Sequence, residues 1–134
     1  MKVRCVGTRL SDDQERQLGY TSSPKIEYQI VPGKEYLVLG VSFLLPTEPH
    51  GGGAQYQILN DFGGCRIIPA CLFEVVDDRC SRYWHVRQDS DGAVLLWPEE
   101  FFTDFFHDDL SEGFAGAVEM FKRVVDRLTH EFDL

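Results

Sequence analysis

Apolar and polar side chains alternate in short segments up to residue 97, with turn residues between the segments. A period of two is typical of half-buried strands. The pattern predicts strands near residues 2–7, 26–30, 56–59, 65–68, 73–76, 84–87 and 94–97. Residues 36–45 are almost continuously apolar instead. This run predicts a strand that is buried on both faces, and Gly40 predicts a bend or bulge within it.

Turn and cap residues separate the predicted strands. Ser11 and Gln14 have the spacing of a capping box, so we expect a short helix after Ser11. Residues 60–64 predict a tight hairpin turn, and residues 70–72 predict a single 3₁₀ turn. Residues 46–53 contain two prolines and three glycines, and we expect a flexible loop there.

The C-terminal part of the chain is predicted to be helical. Pro98 is expected at the first helical position, with acids in the first turn. Four phenylalanines recur at helical spacing and are expected to form one aromatic face that covers an open side of the sheet: Phe101, Phe102, Phe105 and Phe106. A second helix, capped by Ser111, is predicted from the apolar positions between residues 114 and 128.

Charge is distributed unevenly along the chain. The net charge is −9, and residues 1–73 carry seven acids and seven bases, whereas residues 98–134 carry ten acids and three bases. This balance speaks against nucleic acid as a partner and favours a basic protein partner. No apolar run approaches the ~20 residues that a membrane-spanning helix needs. With no apolar leader either, the sequence predicts a soluble, cytoplasmic protein without a membrane contact.

An acidic cluster is the main candidate for partner binding. It comprises six carboxylates within fourteen positions: Glu99, Glu100, Asp104, Asp108, Asp109 and Glu112. Such a cluster could dock a basic partner and speed its association through complementary charge. The alternative is an ordinary solvated helix face with acids placed favourably near a helix N-terminus. The spacing does not resemble an EF-hand loop, so neither a metal site nor another cofactor is predicted.

The four cysteines and four histidines form no familiar catalytic or zinc-binding spacing. Three of the cysteines lie in apolar runs and are predicted to be reduced, buried thiols: Cys5, Cys65 and Cys71. A nucleophile–base pairing stays open as an alternative, between Cys80 or Ser81 and His85 or His107. Because the sequence contains no motif that is associated with a known catalytic mechanism, we predict that the protein is not an enzyme and has no catalytic residues.

The order of strands and turns between residues 26 and 76 resembles that of an SH3-like barrel. A strand and a turn precede the long bent strand, a loop leads to a hairpin, and the 3₁₀ turn leads into a closing strand. Three segments, GKEYLVLGV at 33–41, ND at 60–61 and PACLFEVVD at 69–77, also resemble small uncharacterised bacterial proteins. In these proteins an SH3-like barrel carries a helical tail, and they in turn resemble immunity proteins, which inhibit a bacterium's own polymorphic or contact-dependent toxins.

We therefore predict an α+β fold, with an SH3-like antiparallel β-barrel or strongly bent sheet and C-terminal helices packed across it. Residues 1–134 are expected to form a single domain. Within it we expect the SH3-like core at 26–76, an extra hairpin at 77–97 and an acidic helical tail at 98–134.

The resemblance implies a function as well as a fold. The chain would be an immunity-type inhibitor that occludes a basic toxin domain by steric and electrostatic contact. Two alternatives belong to other classes: a small oligomeric scaffold that uses the phenylalanine-rich helix as its interface, and a small enzyme with a Cys or His centre. The sequence leaves the oligomeric state and the identity of the partner open.

Overall fold

Seven strands and three α-helices make up the described part of the chain, a computed structural model of residues 1–20, 25–45 and 52–133. The strands are β1 (Lys2–Cys5), β2 (Glu35–Leu44), β3 (Gly53–Leu59), β4 (Cys65–Pro69), β5 (Phe73–Asp77), β6 (Trp84–Gln88) and β7 (Val94–Pro98). The helices are α1 (Asp12–Leu18), α2 (Phe106–Ser111) and α3 (Ala115–Asp133), and 3₁₀ turns occupy Ala70–Leu72 and Glu99–Phe102. The predicted α+β class is confirmed. Most of the predicted loop at 46–53 lies outside the described residues.

Local signals explain where the first helix begins and ends. Ser11 Oγ accepts the backbone N–H of Gln14 at 3.1 Å, and Gln14 Oε1 accepts the backbone N–H of Ser11 at 2.9 Å. This reciprocal pair is the predicted capping box. Gly19 then adopts a φ of 82°, a left-handed conformation that favours glycine and ends the helix.

The long strand β2 organises the sheet. It pairs antiparallel with β3 along residues 38–44, with β1 through residues 35–37 and with β7 through residues 41–43. Its register shifts between Val38 and Gly40, which confirms the predicted bulge. β4 pairs with β3, β5 with β1, and β6 with β7. Because β2 exchanges one neighbour for another along its length, it belongs to both halves of the sheet.

The two faces of the sheet carry separate hydrophobic cores. Tyr36 and Val38 of β2 contact one core, which also contains side chains of β1 and β5. Leu37 and Leu39 contact the second core, beneath the C-terminal helices. Successive side chains of a strand point to opposite faces, so burial on both faces requires a continuous apolar run. The predicted double burial of this strand is confirmed.

Helix α3 covers the second core. Its buried side chains recur at the spacing of an amphipathic helix: Ala117, Phe121, Val124, Leu128 and Phe132. Two predicted details of the tail are wrong. Ser111 is the last residue of α2 rather than a cap of the following helix. Pro98 ends β7 rather than beginning a helix, because its ψ of 148° is extended and it pairs with Trp84.

The predicted strand at residues 26–30 is wrong, because this segment makes no strand pairing. Its backbone hydrogen bonds go instead to loop residues, from the Tyr28 N–H to the Thr8 carbonyl and from the Ile30 N–H to the Tyr28 carbonyl. In the described ranges the main path of the sheet runs from β4 to β5 and does not close. The fold is therefore an open, mostly antiparallel sheet with C-terminal helices. No helix among the described residues combines the length and apolar character needed to cross a membrane.

Candidate functional site

The six carboxylates that the sequence predicts to bind a partner lie in and next to the second 3₁₀ turn and α2. Two lie in the turn, one in the connection, two in α2 and one directly after it: Glu99, Glu100, Asp104, Asp108, Asp109 and Glu112. Asp109 and Glu100 are partly buried, and the other four are exposed. Within the described part of the chain, only Glu100 forms an ion pair. The remaining five carboxylates are therefore not neutralised by an internal base.

Glu100 differs from the rest of the cluster because its carboxylate turns inward. Both of its oxygens accept hydrogen bonds from the Arg127 guanidinium of α3, and the two side chains are 18% and 31% exposed. Arg127 also lies over the Tyr83 ring, 5.1 Å from its centroid. Burial is the largest single influence and would raise the pKa of Glu100. The hydrogen bonds and charge of Arg127, a backbone hydrogen bond and the charge of Arg123 together outweigh burial and lower that pKa. This carboxylate joins the 3₁₀ turn to α3.

Asp104 and Asp108 line a shallow groove together with Asp89, which lies in the turn between β6 and β7. The groove has a volume of about 340 Å³, and we call it the acidic aromatic groove. Its lining comprises Asp89, Leu95, Trp97 and residues 101–108. Trp97 stacks on Phe102 with ring centroids 5.0 Å apart. The Arg87 guanidinium lies over the Phe102 ring, 4.2 Å from its centroid, so a base of the chain already occupies that ring. The carboxylates and the exposed Phe105 ring are the features of the groove that favour a cationic ligand.

Phe105 is displayed at this groove instead of being buried. It is 75% exposed, whereas Phe101 and Phe106 are 1% and 3% exposed. Its φ is 61°, and it is the one non-glycine residue with a positive φ in the described ranges. This left-handed residue separates the 3₁₀ turn from α2, so helical spacing is broken between Phe102 and Phe106. The predicted single face of four phenylalanines is therefore wrong.

A buried polar cluster lies beside the groove, between β3, β4 and α2. Gln57, 1% exposed, accepts the His107 Nε2–H at 2.7 Å and the Cys65 thiol at 3.6 Å, both at its Oε1. The Gln57 Nε2 is buried and has no hydrogen-bond partner among the described residues. Burial lowers the pKa of His107, and Asp108 offsets this only in part. His107 is therefore neutral at neutral pH and does not cancel the negative charge of the groove.

Two residues from the possible nucleophile–base pairs are engaged elsewhere. Ser81 Oγ donates to a Glu131 carboxylate oxygen at 2.7 Å, and His107 faces the buried amide. Cys65 shares that amide with His107, but burial raises the pKa of its thiol to about 12. A protonated thiol is a poor nucleophile. In the part of the chain that the structure describes, no group of His, Cys, Asp and Glu is arranged to hold a metal ion.

Sequence reasoning missed Asp89 and the position of His107. Asp89 belongs to an Asp-Ser-Asp-Gly turn, which predicts a hairpin but not which surface the turn will face. The hairpin reaches the groove because β7 continues directly into the 3₁₀ turn.

Of the three cysteines predicted to be buried, Cys5 is buried, Cys65 is partly buried and Cys71 is exposed.

The arrangement is suited to binding a cationic group. A lysine or arginine side chain on the ring faces would lie beside carboxylates that have no internal partner, and both interactions favour it. Comparison of the chain with protein-family models, with curated proteins and with solved structures gave no match.

Proposed function

We propose that this chain is a non-enzymatic binding protein that receives a basic protein partner on the acidic aromatic groove. The observation that carries the proposal is Phe105, which is 75% exposed and has a left-handed backbone next to Asp104. Strained residues persist where the surrounding structure imposes them, and they concentrate at functional surfaces. An exposed ring flanked by carboxylates without internal partners is the chemistry that binds arginine and lysine.

The charge of the chain supports a basic partner over other occupants. A net charge of −9 attracts a cationic protein and increases its association rate. A second copy of this chain would place two acidic surfaces against each other in a symmetric dimer, and this repulsion opposes self-association through the groove.

More specifically, we propose an immunity-type inhibitor that acts in the cytoplasm by covering the surface of a bacterial toxin domain. The order of the elements from β2 to β5 supports the resemblance to SH3-like proteins, whereas the first strand of that resemblance, at residues 26–30, does not form and the sheet is open. β2 is shared by two halves of the sheet, β3 and β4 form a hairpin, and a 3₁₀ turn leads into β5, which pairs with β1. Inhibition by occlusion requires no catalytic group.

An oligomeric scaffold is the second candidate. It is favoured by one observation, the exposure of Phe114, a phenylalanine of the C-terminal part that is 54% exposed just before α3. The solution mass measured by light scattering separates the two candidates. A monomer supports the inhibitor, and a dimer that Phe114→Ser dissociates supports the scaffold.

The groove is tested first with a probe of defined chemistry. We would titrate the full chain with a short peptide rich in arginine and tryptophan and, as a control, with the same peptide carrying glutamate in place of arginine. The test variant Asp104→Asn/Asp108→Asn removes two carboxylates from the groove. The matched control Asp78→Asn/Asp126→Asn removes two exposed carboxylates that do not line it.

We expect the basic peptide to bind, and to shift the Trp97 indole resonance. The groove variant should bind several-fold more weakly and with a smaller salt dependence, and the control variant should bind as the parent does. If the groove variant and the control variant bound the basic peptide with equal affinity, binding at the groove would be refuted. The immunity role is tested separately, by asking whether co-expression protects cells against a basic toxin domain encoded beside this chain's gene. Failure of protection alone would overturn that role and leave the groove intact.

A further inference from the structure

A second cleft lies on the other side of His107, between the β3–β4 hairpin and the C-terminal helices. Its volume is about 510 Å³, which is in the range of small-molecule sites. We call it the basic cleft. Its lining residues are Asn60, Gly63, Gly64, Cys65, Arg66, Ile67, His107, Leu110, Ser111, Val118, Phe121 and Lys122.

The lining combines apolar walls with positive charge. Leu110, Val118 and Phe121 contribute apolar surface from the helices, and Ile67, which is 50% exposed, contributes it from β4. None of the twelve lining residues is an acid, although the chain contains 22 acids and 13 bases. The lining side chains themselves therefore carry a net positive charge, although acids adjoin them in the chain at Asp108, Asp109 and Glu112.

The two bases of the cleft are available to a ligand. Arg66 forms no ion pair with any residue of the described ranges. Lys122 has one, a contact of 3.9 Å with Glu119 on the same helix, in which both side chains are about two-thirds exposed. Exposed pairs of this kind contribute little and exchange readily. At physiological ionic strength, charges beyond about 8 Å are largely screened, so a ligand in the cleft would interact most strongly with the charges nearest to it, among them these two bases.

Polar groups lie beneath the apolar lining at the bottom of the cleft. Cys65 and His107, which both line the cleft, share the buried Gln57 amide, whose Nε2 has no partner in the described part of the chain. A buried amide hydrogen without an acceptor is unfavourable. This cluster lies beneath the cleft, and its amide is not itself part of the lining.

We propose that the basic cleft binds a medium-chain alkyl carboxylate. The tail would lie against Val118, Phe121 and Leu110, and the carboxylate would face Arg66 and Lys122. A cationic ligand is opposed by the two bases, and a neutral one leaves them without a counter-charge. A cleft of this volume is also too small for a folded partner, which favours a small molecule. This site is independent of the basic partner proposed for the acidic aromatic groove.

The experiment compares three ligands that share a tail and differ in charge. The full chain is titrated with decanoate and decyltrimethylammonium below their micelle-forming concentrations, and with decanol below its solubility limit. Affinity is measured by calorimetry, and the amide resonances of Gly64 and Ser111 locate the ligand. The test variant is Arg66→Gln/Lys122→Gln, and the matched control is Arg123→Gln, which removes an exposed base of α3 that does not line the cleft.

We expect saturable binding of decanoate with shifts at both amides. The test variant should bind about tenfold more weakly, the scale expected for two solvent-screened charge contacts, and the control should bind as the parent does. Ile67→Glu, a substitution at a half-exposed position of β4, should abolish binding while its circular dichroism spectrum stays that of the parent. Three results would each overturn the proposal: no saturable binding of decanoate, decanol binding as tightly as decanoate, or shifts confined to residues outside the cleft.

Discussion

Phe105 combines two unfavourable features, an exposed ring and a left-handed backbone, and this combination makes a quantitative prediction. It is 75% exposed and has a φ of 61°. If the residue serves binding rather than folding, replacing it by a residue that tolerates the left-handed conformation should stabilise the free protein. Asparagine is such a residue. The perturbation is therefore Phe105→Asn.

The magnitude follows from two opposing contributions. A left-handed conformation costs about 1–2 kcal/mol for an ordinary L-residue, and asparagine relieves much of this cost. Burying a phenylalanine side chain completely stabilises by about 1.5–3 kcal/mol. Because only a quarter of Phe105 is buried, its removal loses about 0.5 kcal/mol. We expect Phe105→Asn to raise the free energy of unfolding by about 0.5–1 kcal/mol.

Two further variants isolate these contributions in urea unfolding followed by circular dichroism. Phe105→Ala loses the same contacts but keeps the backbone cost, so it should be about 0.5 kcal/mol less stable than the parent. Phe101→Ala removes a ring that is 1% exposed and should cost about 3–5 kcal/mol. If Phe105→Asn were less stable than Phe105→Ala, the reasoning about the backbone would be refuted. Phe105→Asn should also bind the basic peptide more weakly, despite its higher stability.

Three other predictions concern the surroundings of the two sites. Glu100→Gln removes the charged partner of Arg127 and should lower the free energy of unfolding by about 1–2 kcal/mol in urea. Because the folded pKa of Glu100 is lowered, this difference should disappear as the pH falls below its ordinary 4.5, and a difference that persists in acid would contradict the ion pair. His107 has a folded pKa below the ordinary 6.5, so the unfolded chain takes up the proton first, and the urea midpoint should fall as the pH drops below 6.5. His107→Gln should flatten that slope, and an unchanged slope would show that another group titrates. Cys80 is exposed and should react with a thiol reagent at once, whereas Cys65 should react much more slowly, because its thiol is partly buried and burial raises its pKa. Rapid reaction of Cys65 in the folded protein would revive the enzymatic alternative.

Much of the strand arrangement could be predicted from the sequence, because burial and backbone bends leave short, local residue patterns. The continuous apolar run of β2 reflects burial on both faces, and the bulge at Gly40 was visible as a glycine within it. The capping box of α1 needs only residues three apart. The segment at residues 26–30 shows the limit of this reasoning. Its alternation fits a strand, but a strand also needs a paired neighbour, and Tyr28 bonds to the loop at Thr8 instead.

The candidate site was predicted only in part. The acidic cluster of the tail was visible, but its members have different environments. Asp104 and Asp108 reach the groove, whereas Glu100 turns toward Arg127, 27 positions away in sequence. Whether these carboxylates bind a partner stays a prediction. The basic cleft had no signal in the sequence, because its bases belong to separate elements that only folding brings together.

The sequence by itself determined the elements whose causes lie within a few residues: the strand periods, the capping box, the turn glycines and the amphipathic face of α3. Within one segment, backbone hydrogen bonds and side-chain directions depend on the spacing of residue types, which the sequence shows directly. Tertiary structure alone decided which of the clustered phenylalanines is exposed, which carboxylate is paired and where the two clefts open. Those outcomes depend on contacts between residues far apart in the chain, and on the left-handed backbone at Phe105, which breaks the helical spacing between Phe102 and Phe106.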